Sequence, residues 1–160
     1  MLVDIENKKS IFLANSLNYE TFQIWNYYSL IPKKNSNFKI EFEKSVNSDI
    51  FPFYVDSWRW IKTTKNILFN LSTQNRIIKS NLSGKTSIAI IGDYKHLDKT
   101  LIVTLFSGSF DTLSDILFYL QNYAIEKNYE RIQILTKEEL QSFDSLEYKI
   151  SFNLMKKSLL

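Results

Sequence analysis

The segment from Thr100 to Thr136 constrains the fold more than any other part of the chain. Thr100 to Phe106 is an apolar, β-branched run of strand length. After Ser107-Gly108-Ser109-Phe110-Asp111 the period becomes helical. Leu113, Ile116, Leu117, Leu120 and Ala124 recur at i, i+3, i+4, i+7 and i+11, the apolar stripe of an amphipathic helix. Thr112-Leu113-Ser114-Asp115 has the form of a capping box with Asp in the reciprocal place. Lys127 suits the negative end of the helix dipole, and Asn128 suits a left-handed closing residue. Arg131 to Thr136 returns to strand period, with Ile132 and Ile134 on one face. A strand, a helix of about four turns and a second strand form a βαβ unit, parallel and right-handed. The chain is therefore α/β.

Shorter connections surround that unit. Arg76 to Ser80 predicts a short strand, Asn81 to Lys85 a glycine-containing turn, and Thr86 to Ile91 a β-branched strand. Gly92 to Asp98 reads as a polar loop. Connections this short join antiparallel neighbours. Upstream, Phe38 to Glu43 alternates apolar and charged, which suits a short strand or a helical turn. Ser48 to Pro52 reads as a turn or helix end. Ser57 to Ile61 alternates and puts Trp58 and Trp60 on one strand face, and Thr64 to Leu71 reads as a helix. Downstream, Lys137 to Phe143 predicts a short helix. Tyr148 to Met155 predicts a half-buried last strand with Ile150, Phe152 and Leu154 inward. From Arg76 the order is β-β-β-α-β-α-β.

The chain opens differently. Ile11, Leu13, Ala14 and Leu17 contain a helical stripe, and Asn18 can close that helix with positive φ. Tyr19 to Leu30 is an aromatic-rich strand ended by Pro32. No strand long enough to support the helix precedes it. The partner strands either come later in the chain or belong to a larger protein. The polar run Lys33 to Asn37 marks the best boundary.

The opening resembles the last conserved motif of the GNAT acetyltransferase superfamily. That motif has an Asn, a small residue three on, an apolar residue six on, often a Tyr seven on, then apolar–Gly–aromatic. Asn7, Ser10, Leu13, Ala14, Leu17, Asn18 and Tyr19 occupy those places. Ala14 replaces the Tyr that can protonate a leaving thiolate, and Asn18 replaces Gly. The order from Arg76 onward also resembles a GNAT domain from its second strand, and the run from Phe152 to Leu159 resembles its closing strand. The double resemblance implies a GNAT-like twisted mixed sheet with helices on both faces. It implies a C-terminal remnant of a preceding unit over 1–32 and a degenerate GNAT-like domain over 33–160.

The resemblance further implies acetyl transfer from acetyl-CoA to an amine. It places cofactor contacts at Phe106, Ser107, Gly108 and Ser109, with Asn7 as the position that approaches CoA. A helix N-terminus with free N–H groups receives the diphosphate in such a loop. Here the loop has one glycine and no basic residue, and Asp111 sets a negative charge beside the diphosphate position. No catalytic base stands out. The alternative is a non-catalytic interaction or dimerisation domain. A strand parted from its original sheet pairs with the main sheet or with a second copy. The expectation is a homodimer, or strand exchange, through residues 19–30.

Composition narrows the classes. The 160 residues are 44% hydrophobic and 15% aromatic, enough for a packed core in one domain or one domain with an appendage. The net charge of +3 is small, and basic residues occur only as pairs such as Lys33-Lys34 and Lys156-Lys157. No nucleic-acid or membrane-surface partner is expected. Cysteine is absent and His96 is the single histidine, which removes thiol chemistry and multi-histidine metal sites. The opening Met-Leu-Val-Asp-Ile-Glu does not resemble a secretory signal, and no apolar run reaches membrane-spanning length. An intracellular, cytoplasmic location is the expectation.

Other candidate groups each have an ordinary alternative. His96 lies in a loop, where it is a potential general base or a solvated side chain. Asp56 would gain basicity if desolvated, or cap a turn. Trp25, Tyr27, Trp58 and Trp60 line a cleft or one buried sheet face. Glu41 and Glu43 share a strand face that defaults to solvent.

Overall fold

A computed structural model describes residues 1–47, 53–56, 59–92, 99–106, 109–140, 143 and 145–157. In chain order the elements are β1 (Leu2–Asp4), α1 (Lys8–Ser16), β2 (Tyr19–Leu30), β3 (Glu41–Phe42), β4 (Phe53–Asp56), β5 (Arg59–Lys62), α2 (Lys65–Thr73), β6 (Ile77–Leu82), β7 (Lys85–Ile91), β8 (Thr100–Phe106), α3 (Phe110–Glu126), β9 (Arg131–Thr136) and β10 (Glu147–Lys157). Eight strands form one sheet in the order β1-β10-β2-β9-β8-β7-β6-β3, and β4 and β5 form a separate hairpin. Among the described strands only β8 and β9 are parallel. This is the βαβ unit that the change of period required, and β8 and β9 have the predicted bounds.

The sheet is covered on both faces. On one side Leu113, Ile116, Leu117, Leu120 and Ala124 of α3 pack on Leu101, Val103, Leu105, Ile132 and Ile134, together with Tyr28 and Leu30 of β2. Each such aliphatic side chain contributes roughly 2 kcal/mol by leaving water. On the other side Val55 of the hairpin meets Trp25, Ile102 and Leu135. Next to it, Leu68 and Leu71 of α2 close over Ile77 and Ile90. The smaller α1 sets Ala14 against Val3 and Met155.

The partner strands of β2 lie later in the same chain. β2 runs between β9 and β10, paired to β10 from Tyr19 to Ser29 and to β9 from Asn26 to Leu30. Residues 1–32 and 33–160 thus share one sheet. Beyond β2, residues 31–40 run along α3 without regular structure. The Lys33 N–H donates to Gln121 Oε1 at 3.1 Å, and the Asn35 N–H donates to Asn122 Oδ1 at 2.9 Å. This strap delivers the chain to β3 at the far edge.

Several local expectations are corrected. Residues 137–140 and 143 form no helix. The Glu138 N–H donates to Thr136 Oγ1 and the Leu140 N–H to Tyr28 Oη, so both amides are committed away from a helical ladder. In α1 only Ala14 is buried, whereas Leu13 and Leu17 are exposed, because the helix meets the sheet along its Ile11/Ala14 edge. The Thr112 capping box does not form. The helix begins at Phe110 with Ser109 as N-cap, and the Thr112 hydroxyl turns inward to the Ser87 hydroxyl at 2.7 Å. β3 is only two residues long. A three-residue strand, β1, precedes α1 and pairs with β10. In β10 Ser151 lies on the face opposite Phe152, as alternation requires, but is buried there beside Asn26 and Tyr148. Asn18 and Asn128 have φ of 60° and 59°, as expected of closing residues.

Candidate functional site

The cofactor position implied by the GNAT resemblance lies where β8 ends and α3 begins. Ser107, Gly108, His96 and Trp58 lie outside the described residues. Phe106 is the last residue of β8 and pairs with Ile88 of β7. Ser109 is the N-cap of α3, but its side chain makes no capping bond to the first turn. Its hydroxyl is instead 2.9 Å from Thr112 Oγ1. The first-turn amides of Phe110, Asp111 and Thr112 find no acceptor within the helix. Among the described residues of this end they are what could receive an anion, and Asp111 adds a negative charge to the same first turn. Beside them the Phe110 ring stacks on Phe143 with centroids 4.5 Å apart.

Asn7 is not brought to this place. It is the N-cap of α1, and its Oδ1 accepts from the Ser10 N–H at 3.0 Å. It follows β1, which is four strands from β8 in the sheet. At the usual strand spacing that is about 19 Å.

The strand edges matter as much as the loop. Attack on a thioester in this fold needs an open strand edge beside the thioester carbonyl, and a base for the amine. Toward β9, β8 offers no such edge from Thr100 to Leu105. Every residue from Thr100 to Leu105 has a partner on β9, and Val103 to Phe106 have partners on β7. On the face opposite α3 the hairpin closes over β8. The Val55 N–H donates to the buried Thr104 hydroxyl at 2.8 Å. Of the described residues here, Asp111 adds a negative charge to the first turn of α3, which disfavours a diphosphate, and the β8–β9 ladder is paired through Leu105.

Near the end of β9 lies a constellation that sequence reasoning missed. Lys137 Nζ sits 5.8 Å from the centroid of the Trp25 ring, and Trp25 meets Trp60 edge-on at 5.0 Å. Burial lowers the Lys137 pKa, although Glu138 pulls it back upward. The aromatics thus form a buried sheet face, with Trp25 fully inside. On the α3 side Tyr148 Oη, Ser151 Oγ and Asn26 Oδ1 form a hydrogen-bonded chain of 2.9 and 2.6 Å. Asn26 Nδ2 extends it to the Glu138 carbonyl at 3.3 Å. An Asn at the centre of an aromatic strand was the available signal for this network.

Asp56 belongs to β4, with its carboxylate 3.9 Å from the Arg76 guanidinium. Glu43 accepts from Lys79 Nζ at 2.9 Å, and Glu41 accepts from Asn81 Nδ2 at 3.2 Å. Neither glutamate faces a second acid. Among the described residues no cluster of acids and histidines is arranged to hold a metal ion, and no helix is long and apolar enough to cross a membrane.

No protein-family model matches the chain. No curated protein matches it either. Solved structures do match. One is a protein from Thermoplasma acidophilum assigned as an acetyltransferase, at a TM-score of 0.52 and 13% identity over 96% of this chain and 53% of that one. Another is a GCN5-related N-acetyltransferase from Anabaena variabilis, at 0.43 and 10% over 96% and 44%. The second superposition is too loose to bear on the fold. The chain spans about half the length of the Thermoplasma protein. The sheet order, the single parallel pair among the described strands and that likeness together give this chain a mixed α/β fold similar to that of the Thermoplasma protein.

Proposed function

We propose that the chain is the C-terminal part of a GNAT-type acetyltransferase built of two units, in which residues 33–160 have given up acetyl-CoA chemistry and serve as a scaffold. The lineage reaction is transfer of an acetyl group from acetyl-CoA to an amine. The observation that carries the loss is the unbroken β8–β9 ladder from Thr100/Arg131 to Leu105/Thr136. It leaves no strand edge for the thioester arm, and Asp111 opposes the diphosphate. Titration calorimetry with acetyl-CoA tests this reading. No heat is expected at about 1 mM ligand, and binding at about 10 µM would overturn it.

A second reading concerns assembly, and the free edge of β2 favours it. Residues 19–25 of β2 pair with β10 alone, because β9 begins its contact at Asn26. Phe22 and Ile24 on this stretch are exposed, as are Phe12, Leu13 and Leu17 of α1. A second copy can add its own edge in antiparallel fashion about a two-fold axis. Exchange of residues 19–30 between copies would use the same contacts. Light scattering on the chain and on Ile24→Lys decides it. A dimer that dissociates in the variant is expected, and a monomer at high concentration overturns it.

A further inference from the structure

We propose that Asn35 is a self-modifying residue, and that loss of its side-chain amide frees the strap of residues 31–40 from α3. The proposal requires neither acetyl-CoA nor a second copy of the chain. An Asn followed by a small residue is chemically labile, because the next backbone nitrogen can attack its side-chain carbonyl carbon. The chain has this pairing at Asn15-Ser16, Asn35-Ser36 and Asn47-Ser48. What separates the first two is the state of the attacking nitrogen.

Asn122 grips Asn35 at two points. Its Oδ1 accepts from the Asn35 N–H at 2.9 Å, and its Nδ2 donates to the Asn35 carbonyl at 2.8 Å. The peptide unit between Asn35 and Ser36 is trans, so a carbonyl aimed at α3 turns the Ser36 N–H away from the helix. Ser36 is exposed, and its N–H has no hydrogen-bond partner among the described residues. A base in solvent can therefore take that proton. Asn15 and Ser16 are just as exposed, but both lie in α1, where the Ser16 N–H belongs to the helical ladder.

The reaction closes a cyclic imide. The Ser36 nitrogen loses its proton to solvent and bonds to Asn35 Cγ. The Cγ–Nδ2 bond breaks, and the amide leaves as ammonia with a proton from solvent. Water then opens the imide at either carbonyl, giving an aspartate or an isoaspartate. Both products lose the hydrogen bond from Asn35 Nδ2 to the Lys33 carbonyl, now 2.7 Å long, and set a carboxylate beside that oxygen. Isoaspartate also inserts a methylene into the main chain, so the Asn35 N–H and carbonyl no longer match the Asn122 amide. Downstream the strap keeps the contact of Phe38 with Tyr119. The strap is thus let go at its middle, irreversibly and at a rate set by the chain itself.

The test is incubation of the whole chain at neutral pH, with peptide mapping by mass spectrometry over time. Conversion at Asn35 is expected to run about tenfold faster than at Asn15 in the folded protein, and the two rates should converge in concentrated urea. Ser36→Pro, which removes the N–H, should stop conversion at Asn35. Ser36→Val, which keeps the N–H but crowds it, should slow it. Hydrogen exchange of the Asn35 amide should rise in the converted protein and in Asn35→Asp. Equal rates at Asn35 and Asn15 in the folded chain overturn the proposal. So does conversion that persists in Ser36→Pro, and so does an Asn35 amide equally protected before and after conversion. Circular dichroism of each variant separates a change at the strap from lost folding.

Discussion

The hydroxyl of Tyr28 accepts a hydrogen bond from the backbone N–H of Leu140 at 3.0 Å, across 112 residues of chain. Both residues are buried, Tyr28 at 1% and Leu140 at 2% exposure. The bond ties β2 to the irregular segment between β9 and β10, where a helix was expected. Tyr28→Phe keeps the ring and removes the acceptor, which strands a buried donor. The expected cost is about 1–3 kcal/mol, read from the urea midpoint at unchanged slope.

Residues 1–32 should not unfold separately from the rest. β2 sits inside the sheet, and Trp25 on it is fully buried against Leu135, Ile102 and the hairpin. A large cavity follows from Trp25→Ala, with an expected loss of about 3–5 kcal/mol. That is a large part of the stability of an ordinary domain. Tyrosine and tryptophan signals and far-ultraviolet dichroism should all report one transition, at the same reduced midpoint. Two transitions, with only the first shifted, would show a separate N-terminal unit.

The contrast between β8 and the segment after β9 explains what the sequence could reveal. Leu101 to Leu105 and Ile132 to Thr136 are buried on both faces of the sheet, so their side chains alone specify strand. The stripe from Leu113 to Ala124 fixes α3 in the same way. Lys137 to Phe143 has equal local claim to a helix, but its amides are taken by Thr136 and by Tyr28, which is distant in sequence. Nothing near Leu140 announces that partner. The position of β2 was likewise hidden, since pairing with both β9 and β10 depends on register across more than a hundred residues. At the candidate site, Asp111 was readable as an opposing charge. The closed β8–β9 ladder was not, because strand pairing carries no local mark.

Acid should reveal the link between β3 and β6. The hydrogen bond from Lys79 holds the Glu43 carboxyl below its usual 4.5, and burial works against it. A carboxyl with a depressed folded value contributes stability above its usual range and loses it as pH falls through that lower value. The stability difference between the wild-type chain and Glu43→Gln should therefore be full above the usual carboxyl range and shrink as pH falls through the lowered folded value. Urea midpoints of both proteins across this range measure it. A difference that stays constant would remove the Lys79 contact as its cause.

Lys137 should add stability that, like that of Glu43, rises with pH, but in the alkaline range. Burial disfavours its ammonium form and lowers its pKa from 10.5, even though the Trp25 ring face and Glu138 favour the charge. The unfolded chain then holds this proton more tightly than the folded chain. Stability from this residue rises as pH climbs from the depressed folded value toward 10.5. Lys137→Met should abolish the rise and leave the Trp25–Trp60 contact intact. Acetic anhydride labelling followed by mass spectrometry gives an independent reading. The pH midpoint for acetylation of Lys137 should lie below that of Lys99, whose hydrogen bond to Glu130 raises its pKa. Equal midpoints would mean that Trp25 and Glu138 offset the desolvation fully.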